Sequence, residues 1–225
     1  MRNVLIFGAN GSIGSHLYNS FKELGYNTFG TTTKNNINNL LFIDNNNFDN
    51  LLSIDKLDSV IWAQGININD NITSFNESDF LNVFNINVLF ILKSLNYLLN
   101  NNKLNDGSKL VIISSIFEKY TRNNKLSYTI SKSALSGLVK NIAYDLSKKN
   151  ILINNILPGV IDNEMTRNML NEDNINYVEN YLHFKRLINL KDIFNAVKYY
   201  CIDNTGITGE SVCIDLGFTK VRKFE

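Results

Sequence analysis

Near its start the chain reads Val4-Leu5-Ile6-Phe7-Gly8-Ala9-Asn10-Gly11-Ser12-Ile13-Gly14. The apolar run before Gly8 predicts a buried strand. The segment 13–24 predicts an amphipathic helix, with Ile13, Leu17, Phe21 and Leu24 on one face. Glycines between a strand and a helix let the backbone turn tightly and let a phosphate approach the helix N-terminus. The stretch therefore predicts a dinucleotide-binding loop, and an ordinary tight turn is the alternative.

The same alternation of short apolar runs and amphipathic segments continues along the chain. Strands that read as continuous apolar runs between helices favour a parallel sheet covered on both faces. We therefore expect an α/β fold, a Rossmann-type doubly wound sheet of about seven strands, in a single domain over residues 1–225. After Val4–Phe7, the predicted strands are Thr28–Thr32, Leu40–Ile43, Ser59–Ala63, Lys109–Ser114, Ile151–Leu157 and Ser211–Ile214, and the later helices are Asp79–Leu99, Ser127–Ser147 and Leu190–Cys201. The Asn-rich stretch Asn35–Asn50 is expected to form surface turns.

Composition excludes several classes of protein. The 225 residues carry 22 Lys+Arg and 21 Asp+Glu, a net charge of +1, which argues against a polybasic nucleic-acid binder. Two cysteines (Cys201, Cys213) and two histidines (His16, His183) cannot form a zinc site without carboxylates, so we predict neither a metal nor a disulfide framework. The strand at the N-terminus leaves no room for a signal peptide, and Val83–Leu99 is shorter and more polar than a membrane span. We expect a cytoplasmic protein with no membrane or nucleic-acid partner.

The residues after the second predicted strand bear on nucleotide choice. An NAD site usually places an acid about 20 residues after the glycine loop. Here the chain reads Gly30-Thr31-Thr32-Thr33-Lys34, without an acid, and Lys34 is positioned to meet a 2′-phosphate. NADP(H) is therefore favoured over NAD(H), with Asp44 as a candidate for the adenine end. The alternatives are a solvated Lys34 and an Asp44 that starts a turn.

A tyrosine and a lysine four residues apart share a helix face, where the ammonium lowers the phenol pKa and lets the tyrosine exchange protons near neutral pH. Only one of the four such pairs, Tyr128/Lys132, opens a helix that follows a strand ending in serines, Ser114 and Ser115. Ligands of parallel sheets bind at that carboxyl edge. The other pairs are Tyr18/Lys22, Tyr144/Lys148 and Tyr181/Lys185.

At this point the sequence resembles the short-chain dehydrogenases/reductases over nearly its whole length. The resemblance combines many short motifs at matching spacing, which together are far more specific than any one of them. They are the loop Gly8–Gly14, Ala63-Gln64-Gly65, Asn87, Ile113-Ser114-Ser115, Tyr128 with Lys132, Asn155-Ile156-Leu157-Pro158-Gly159-Val160-Ile161, and Ile207-Thr208-Gly209-Glu210.

The resemblance implies a role for each catalytic residue. Tyr128 exchanges a proton with the substrate oxygen, Ser115 hydrogen-bonds that oxygen, Lys132 lowers the tyrosine pKa and holds the nicotinamide ribose, and Asn87 supports a proton relay. The alternative is that Tyr128 and Ser115 are packing groups. The implied cofactor-binding residues are Gly8, Asn10, Gly11, Ser12, Ile13, Gly14, Thr31, Lys34, Asp44, Ala63, Gln64, Gly65, Tyr128, Lys132, Pro158, Gly159, Ile161 and Asn163.

Three departures from the family pattern concern its branches. The glycine spacing matches the longer, two-domain branch that handles nucleotide sugars. The compact branch's paired Asn before Ala-Gly is replaced by Trp62-Ala63-Gln64-Gly65, and Asn163 stands where the family usually has a Thr. Too few residues follow Gly159 for a second domain, so the chain fits the compact single-domain branch, which is similar to 3-oxoacyl-carrier-protein reductases and related carbonyl reductases.

The implied function is an NAD(P)-dependent oxidoreductase that transfers a hydride between a nicotinamide cofactor and a carbonyl or alcohol substrate. The alternatives are a nucleotide-sugar or polysaccharide-precursor reductase or epimerase, and a non-catalytic NADP-responsive regulator. A substrate lid is expected at 160–184. The partner is a small-molecule carbonyl or alcohol, and the resemblance suggests a homodimer or homotetramer through the two long helices.

Overall fold

The computed structural model describes residues 1–35, 37, 39–44, 47–163, 166–167, 179–180 and 184–221. Seven parallel strands form one sheet in the order β3-β2-β1-β4-β5-β6-β7. The strands are β1 (Asn3–Phe7), β2 (Asn27–Thr32), β3 (Leu41–Phe42), β4 (Leu57–Trp62), β5 (Leu104–Ile113), β6 (Leu152–Pro158) and β7 (Ser211–Ile214). The helices are α1 (Ser12–Glu23), α2 (Glu77–Phe84), α3 (Phe90–Asn100), α4 (Leu126–Asp145) and α5 (Leu190–Lys198). The predicted α/β sheet of seven strands is confirmed.

Helices cover both faces of the sheet because the central strands carry buried apolar residues on both sides. On one face, Leu95 of α3 and Leu135 of α4 pack against alternate residues of the central strands. On the other face, Leu17 of α1 and Ile193 of α5 pack against the remaining residues of those strands. The core therefore has two layers, and the sheet between them is buried.

The strand order reverses between β1 and β4, since β2 continues to one side of β1 and β5 to the other side of β4. In doubly wound sheets the crevice at such a reversal, outside the carboxyl ends of the strands, is the ligand-binding position. The loops at this crevice begin at Gly8, Ala63, Ser114 and Gly159.

Three details of the predicted elements are wrong, for identifiable reasons. β5 begins at Leu104 rather than Lys109, because a first segment pairs Leu104 with Leu57 before the register shifts. The long helix is interrupted by a π-helical turn, Asn85–Leu89, between α2 and α3. Leu24 was expected on the buried face of α1 but is 54% exposed, because it caps the end of that helix.

The Asn-rich stretch is less exposed than predicted. A 3₁₀ helix, Asp49–Ser53, closes it, and Phe48 and Leu51 are buried in the core. Most of the predicted lid at 160–184 lies outside the described residues.

The helical segment Glu77–Asn100 is 24 residues long and, by length and composition alone, apolar enough to cross a membrane. It is therefore longer than the apolar stretch 83–99 read from the sequence. Its buried face packs against the sheet, as a core helix does. Length and composition are thus weak evidence for a membrane span in this chain.

Candidate functional site

The glycine loop between β1 and α1 leaves no room for side chains at two positions. Gly8 has φ +75°, and a Cβ added there would lie 2.8 Å from the backbone nitrogen of Gln64. A Cβ on Gly14 would lie 2.1 Å from the carbonyl oxygen of Gly8. Glycine at both positions therefore lets α1 start directly against the end of β1.

The N-terminus of α1 is free to receive an anion. Its cap residue, Gly11, supplies no side-chain hydrogen bond, and no acid lies in the first turn. Asn10 and Gly11 are exposed, Ser12 is half-buried, and Ile13 packs on the apolar layer below. Uncapped N–H groups and the helix dipole together favour a phosphate at this place.

The end of β2 lies beside this loop. The carbonyl oxygen of Thr31 accepts a hydrogen bond from Ala9 N at 2.9 Å, and Thr31 itself is buried. The backbone N–H of Lys34 donates to Thr32 Oγ1 at 3.0 Å, which turns the chain outward and leaves the Lys34 side chain exposed. Asp44, after β3, is also exposed.

The loop after β4 forms the opposite wall. Ala63 N donates to the carbonyl oxygen of Phe7 at 3.0 Å, which continues the β1–β4 pairing. Both amide atoms of the Gln64 side chain are buried and have no hydrogen-bond partner within the described ranges. A Cβ on Gly65 would lie 3.3 Å from Asn87 Oδ1 and 3.6 Å from Lys132 Nζ, so glycine permits this close approach.

Asn87 lies in the π-helical turn and is buried. Its Oδ1 accepts from Ile66 N at 2.9 Å, and its Nδ2 donates to Ile66 O at 3.0 Å and to Ser131 Oγ at 2.9 Å. The π turn is of the kind that often marks functional sites, and here it turns the Asn87 amide toward the loop after β4. Asn87 thus connects that loop to α4.

The structure brings Ser115, Tyr128 and Lys132 together. Ser115 follows β5, and its hydroxyl accepts from Phe117 N at 3.3 Å. Burial raises the pKa of the Tyr128 phenol, and a side-chain hydrogen bond with Ser115 opposes that shift. We expected Lys132 to lower this pKa, but burial outweighs any such effect and keeps the phenol protonated, as a proton donor requires.

Lys132 is buried one turn along α4 from Tyr128. Its Nζ donates to the carbonyl oxygen of Ile113 at 3.1 Å and lies 5.6 Å from the centroid of the Tyr128 ring. Burial lowers the pKa of Lys132 to about 8. The ammonium thus lies beside the ring and at the end of β5, where it is available to a ligand in the crevice.

The last cofactor candidates follow β6. Pro158 closes that strand, and Gly159 N donates to Ile214 O at 2.9 Å. Ile161 forms an isolated parallel bridge with Ile188. Asn163 Nδ2 donates to Ser12 Oγ at 3.3 Å, so the segment after β6 reaches the glycine loop.

The other Tyr/Lys pairs lie elsewhere. Tyr18 and Lys22 are on α1, with the ammonium 5.9 Å from the ring centroid. Tyr144 is 82% exposed near the C-terminal end of α4. Tyr181 lies outside the described residues.

Sequence reasoning missed several buried polar residues around the site. Lys125 Nζ donates to Asn67 Oδ1 at 2.8 Å and to Asn69 Oδ1 at 2.6 Å. Asp70 accepts from the backbone and the hydroxyl of Ser127. The buried acid Glu118 was missed as well. No motif marks them, because each is recognisable only once α4 is packed against the neighbouring loops.

A family model described as enoyl-(acyl carrier protein) reductase matches residues 47–219. The chain is 29% identical over 158 residues to 7alpha-hydroxysteroid dehydrogenase of Clostridium sardiniense, covering 69% of this chain and 60% of that protein. Among the curated relatives that it matches first, the aligned share of their own length ranges from 40% to 60%.

Two solved structures have the same fold. ElxO with NADP bound has a TM-score of 0.82 at 22% identity, covering 96% of this chain and 98% of its own. A 4-hydroxyisoleucine dehydrogenase mutant complexed with NADH and succinate has a TM-score of 0.87 at 23% identity, covering 99% of this chain and 100% of its own.

Proposed function

The chain belongs to the short-chain dehydrogenase/reductase family, and from this membership we propose that it is an NAD(P)-dependent oxidoreductase. It transfers a hydride between a nicotinamide cofactor and a carbonyl or alcohol substrate. The observation that carries the proposal is the grouping of Ser115, Tyr128 and Lys132 at the carboxyl edge of the sheet, beside the uncapped N-terminus of α1. The family resemblance favours this reaction over the sugar-nucleotide and regulator alternatives.

The residues present fit a dinucleotide. Gly8 and Gly14 let the glycine loop and α1 pack closely, because a Cβ on either would collide with backbone, and this sets the uncapped N-terminus of α1 directly at the end of β1. Gln64 offers buried amide atoms that have no partner in the part of the chain that the structure describes. When bound, the nicotinamide supplies or accepts the hydride. The α1 N-terminus would hold the pyrophosphate, and Lys132 the nicotinamide ribose.

In the reduction direction, Tyr128 and Ser115 act on the substrate oxygen directly. Lys132 and Asn87 act through neighbouring groups. Tyr128 Oη gives its proton to the carbonyl oxygen as negative charge develops there, and the Ser115 hydroxyl donates a hydrogen bond to the same oxygen. The Lys132 ammonium favours the phenolate that remains. Asn87, which donates to the Ile66 carbonyl, would support the relay that replaces the proton.

NADP(H) is the proposed preference, supported by the exposed Lys34 at the end of β2 and by the absence of an acid in Gly30–Lys34. The substrate is a small carbonyl or alcohol compound. A homodimer or homotetramer through α2–α3 and α4 is part of the same proposal, supported by exposed apolar side chains such as Leu92 and Ile130 on these helices.

The decisive experiment compares two tyrosine variants. Tyr128→Phe should lower NADPH-dependent reduction of a panel of ketones and β-ketoacyl thioesters by at least about a hundredfold, the usual contribution of a positioned proton donor. NADPH binding, followed by fluorescence titration, should change little. Tyr144→Phe removes a hydroxyl from the exposed pair on the same helix and should leave turnover unchanged. Equal turnover by Tyr128→Phe and the wild type would refute the proposal.

A further inference from the structure

A buried acid lies beside the catalytic group, and the roles described above do not use it. Glu118 ends a 3₁₀ helix, Ile116–Glu118, that directly follows Ser115. The residue is 8% exposed. Its Oε2 accepts a hydrogen bond from Asn155 Nδ2 at 3.0 Å, while Oε1 is buried with no partner among the described residues. The Oδ1 atom of Asn155 is likewise buried without a partner there. One carboxylate oxygen of Glu118 is therefore left without a local donor.

The same short helix packs on α4 at the position of Lys132. Ser133, the next residue along α4, donates from Oγ to the carbonyl oxygen of Glu118 at 3.3 Å. Lys132 is 4% exposed, and the carbonyl of Ile113 is the acceptor found for its ammonium. Within the described ranges, no carboxylate lies within salt-bridge distance of Lys132. A buried cation and a buried acid thus lie in neighbouring segments without direct contact.

We propose that Glu118 is a positioning residue that keeps the Lys132 ammonium charged inside the buried site. It acts through its charge, from the 3₁₀ helix that packs on α4, and it touches neither substrate nor cofactor. The inference rests on the proposed function, because a charged Lys132 matters only if Tyr128 exchanges protons.

Electrostatics supports this assignment. A buried ammonium loses its hydration, which favours the neutral amine. Burial lowers the pKa of Lys132 to about 8, and the charge of Glu118 is the opposing influence that raises it. Without that charge the lysine would release its proton at a lower pH, closer to neutrality. The acid thus protects the charged form over the neutral pH range.

Few other ionisable groups are available for this role in the elements that surround Lys132. Tyr128 is on the same face of α4 and is protonated at neutral pH. Near Lys132, β5 contributes the carbonyl of Ile113 and β6 contributes the neutral side-chain amide of Asn155. Lys119 and Glu210 are exposed at the rim, and Lys119 Nζ donates to Ser211 O at 2.8 Å. Asp70 is also buried at α4, but it accepts from Ser127 in the first turn and its charge acts on the buried Lys125, so Glu118 is the buried acid whose charge reaches Lys132.

The test is a direct titration of Lys132. The full-length protein is labelled with [¹³Cε]lysine and followed by NMR between pH 6 and pH 10, and the Lys132 resonance is assigned by its loss in Lys132→Arg. In Glu118→Gln, which keeps the side-chain shape and an acceptor for Asn155, the midpoint should move to lower pH. At the pH of the wild-type midpoint, less than half of Lys132 should then stay protonated. Glu210→Gln, which removes an exposed acid nearby, should leave the midpoint unchanged.

An unchanged Lys132 midpoint in a folded Glu118→Gln protein would overturn the inference. Glu118→Asp provides a second variant, because it retains a carboxylate but withdraws it by one methylene; its midpoint should fall between those of the wild type and Glu118→Gln. If Glu118→Gln does not fold, a wild-type midpoint in Glu118→Asp has the same consequence. The titration needs neither cofactor nor substrate, so a failure of the proposed function is recognised separately by absent NADPH turnover.

Discussion

The structure shows directly why the glycine predicted to shape the loop stands at position 14. Its hydrogen points at the Gly8 carbonyl, where a Cβ would approach to 2.1 Å. We expect Gly14→Ala to lower the free energy of unfolding by about 1–3 kcal/mol, as overpacking usually does, because either α1 or the glycine loop must shift. The displaced α1 N-terminus should also weaken NADPH binding. Urea denaturation and fluorescence titration measure the two effects.

Gly137 provides the matched control. It lies in the interior of α4, and a Cβ there would meet nothing within 4 Å. Gly137→Ala should therefore raise stability by about 0.5–1 kcal/mol, because alanine restricts the unfolded chain. If both variants destabilise the protein equally, the close approach of Gly14 to Gly8 is not the cause.

Single residues also show the limit of sequence reasoning. The sequence identifies Ser115 and Tyr128 as candidate site residues because Ser115 stands at the end of a predicted strand and Tyr128 at the start of a predicted helix. The sequence does not identify Glu118 as a site residue, because Ile116-Phe117-Glu118 reads as an ordinary turn until its packing on α4 is known. A side chain that acts through a neighbour has no spacing rule of its own.

At the level of elements, the loop after β4 is fastened to α4 at three points. Asn87 accepts a hydrogen bond from Ile66 N. Lys125 donates to the side chains of Asn67 and Asn69. Asp70 accepts from Ser127 N in the first turn of α4. Burial lowers the pKa of Lys125, and nearby Arg122 adds to this shift. The loop is therefore held by hydrogen bonds at all three points, one of which is a buried ammonium.

Removing that ammonium should loosen the loop. In Lys125→Met, backbone amides of residues 66–70 should exchange hydrogen faster than in the wild type, while those of β4 and β5 stay protected, because opening is local. Hydrogen-exchange mass spectrometry reports both regions. Lys140→Met, at an exposed position on the same helix, should exchange like the wild type. Unchanged exchange of residues 66–70 in Lys125→Met would contradict this role.

Elements were predictable to the extent that apolar runs define them. The strand Ser211–Ile214 has its predicted bounds, and most of the other strands differ by one or two residues. The early start of β5 and the π turn at Asn87 were not predictable, because both arise from pairing and packing between distant segments. The same applies to Phe48, which is buried within the Asn-rich stretch, and to Leu51 directly after it.

At the level of the whole molecule, the sheet order places the glycine loop, Lys34 and the Tyr128 group along one edge. A dinucleotide bound as proposed would contact segments from both halves of the chain, so its binding should stabilise the entire domain. NADPH at about 100 times its dissociation constant adds about 2.7 kcal/mol to stability. For a chain of this size that corresponds to a rise in Tm of about 5–11 °C.

The last prediction uses this stabilisation to test nucleotide choice. At matched concentrations NADPH should raise Tm more than NADH, because the Lys34 ammonium can pair with the 2′-phosphate that NADH lacks. Lys34→Ala should reduce the NADPH shift toward the NADH value and leave the NADH shift alone. Lys149→Ala, which removes an exposed lysine after the end of α4, should alter neither shift. A larger shift with NADH would reverse the assigned preference, and no shift with either nucleotide would remove the dinucleotide site from the proposal, because a ligand that binds only the folded chain must stabilise it.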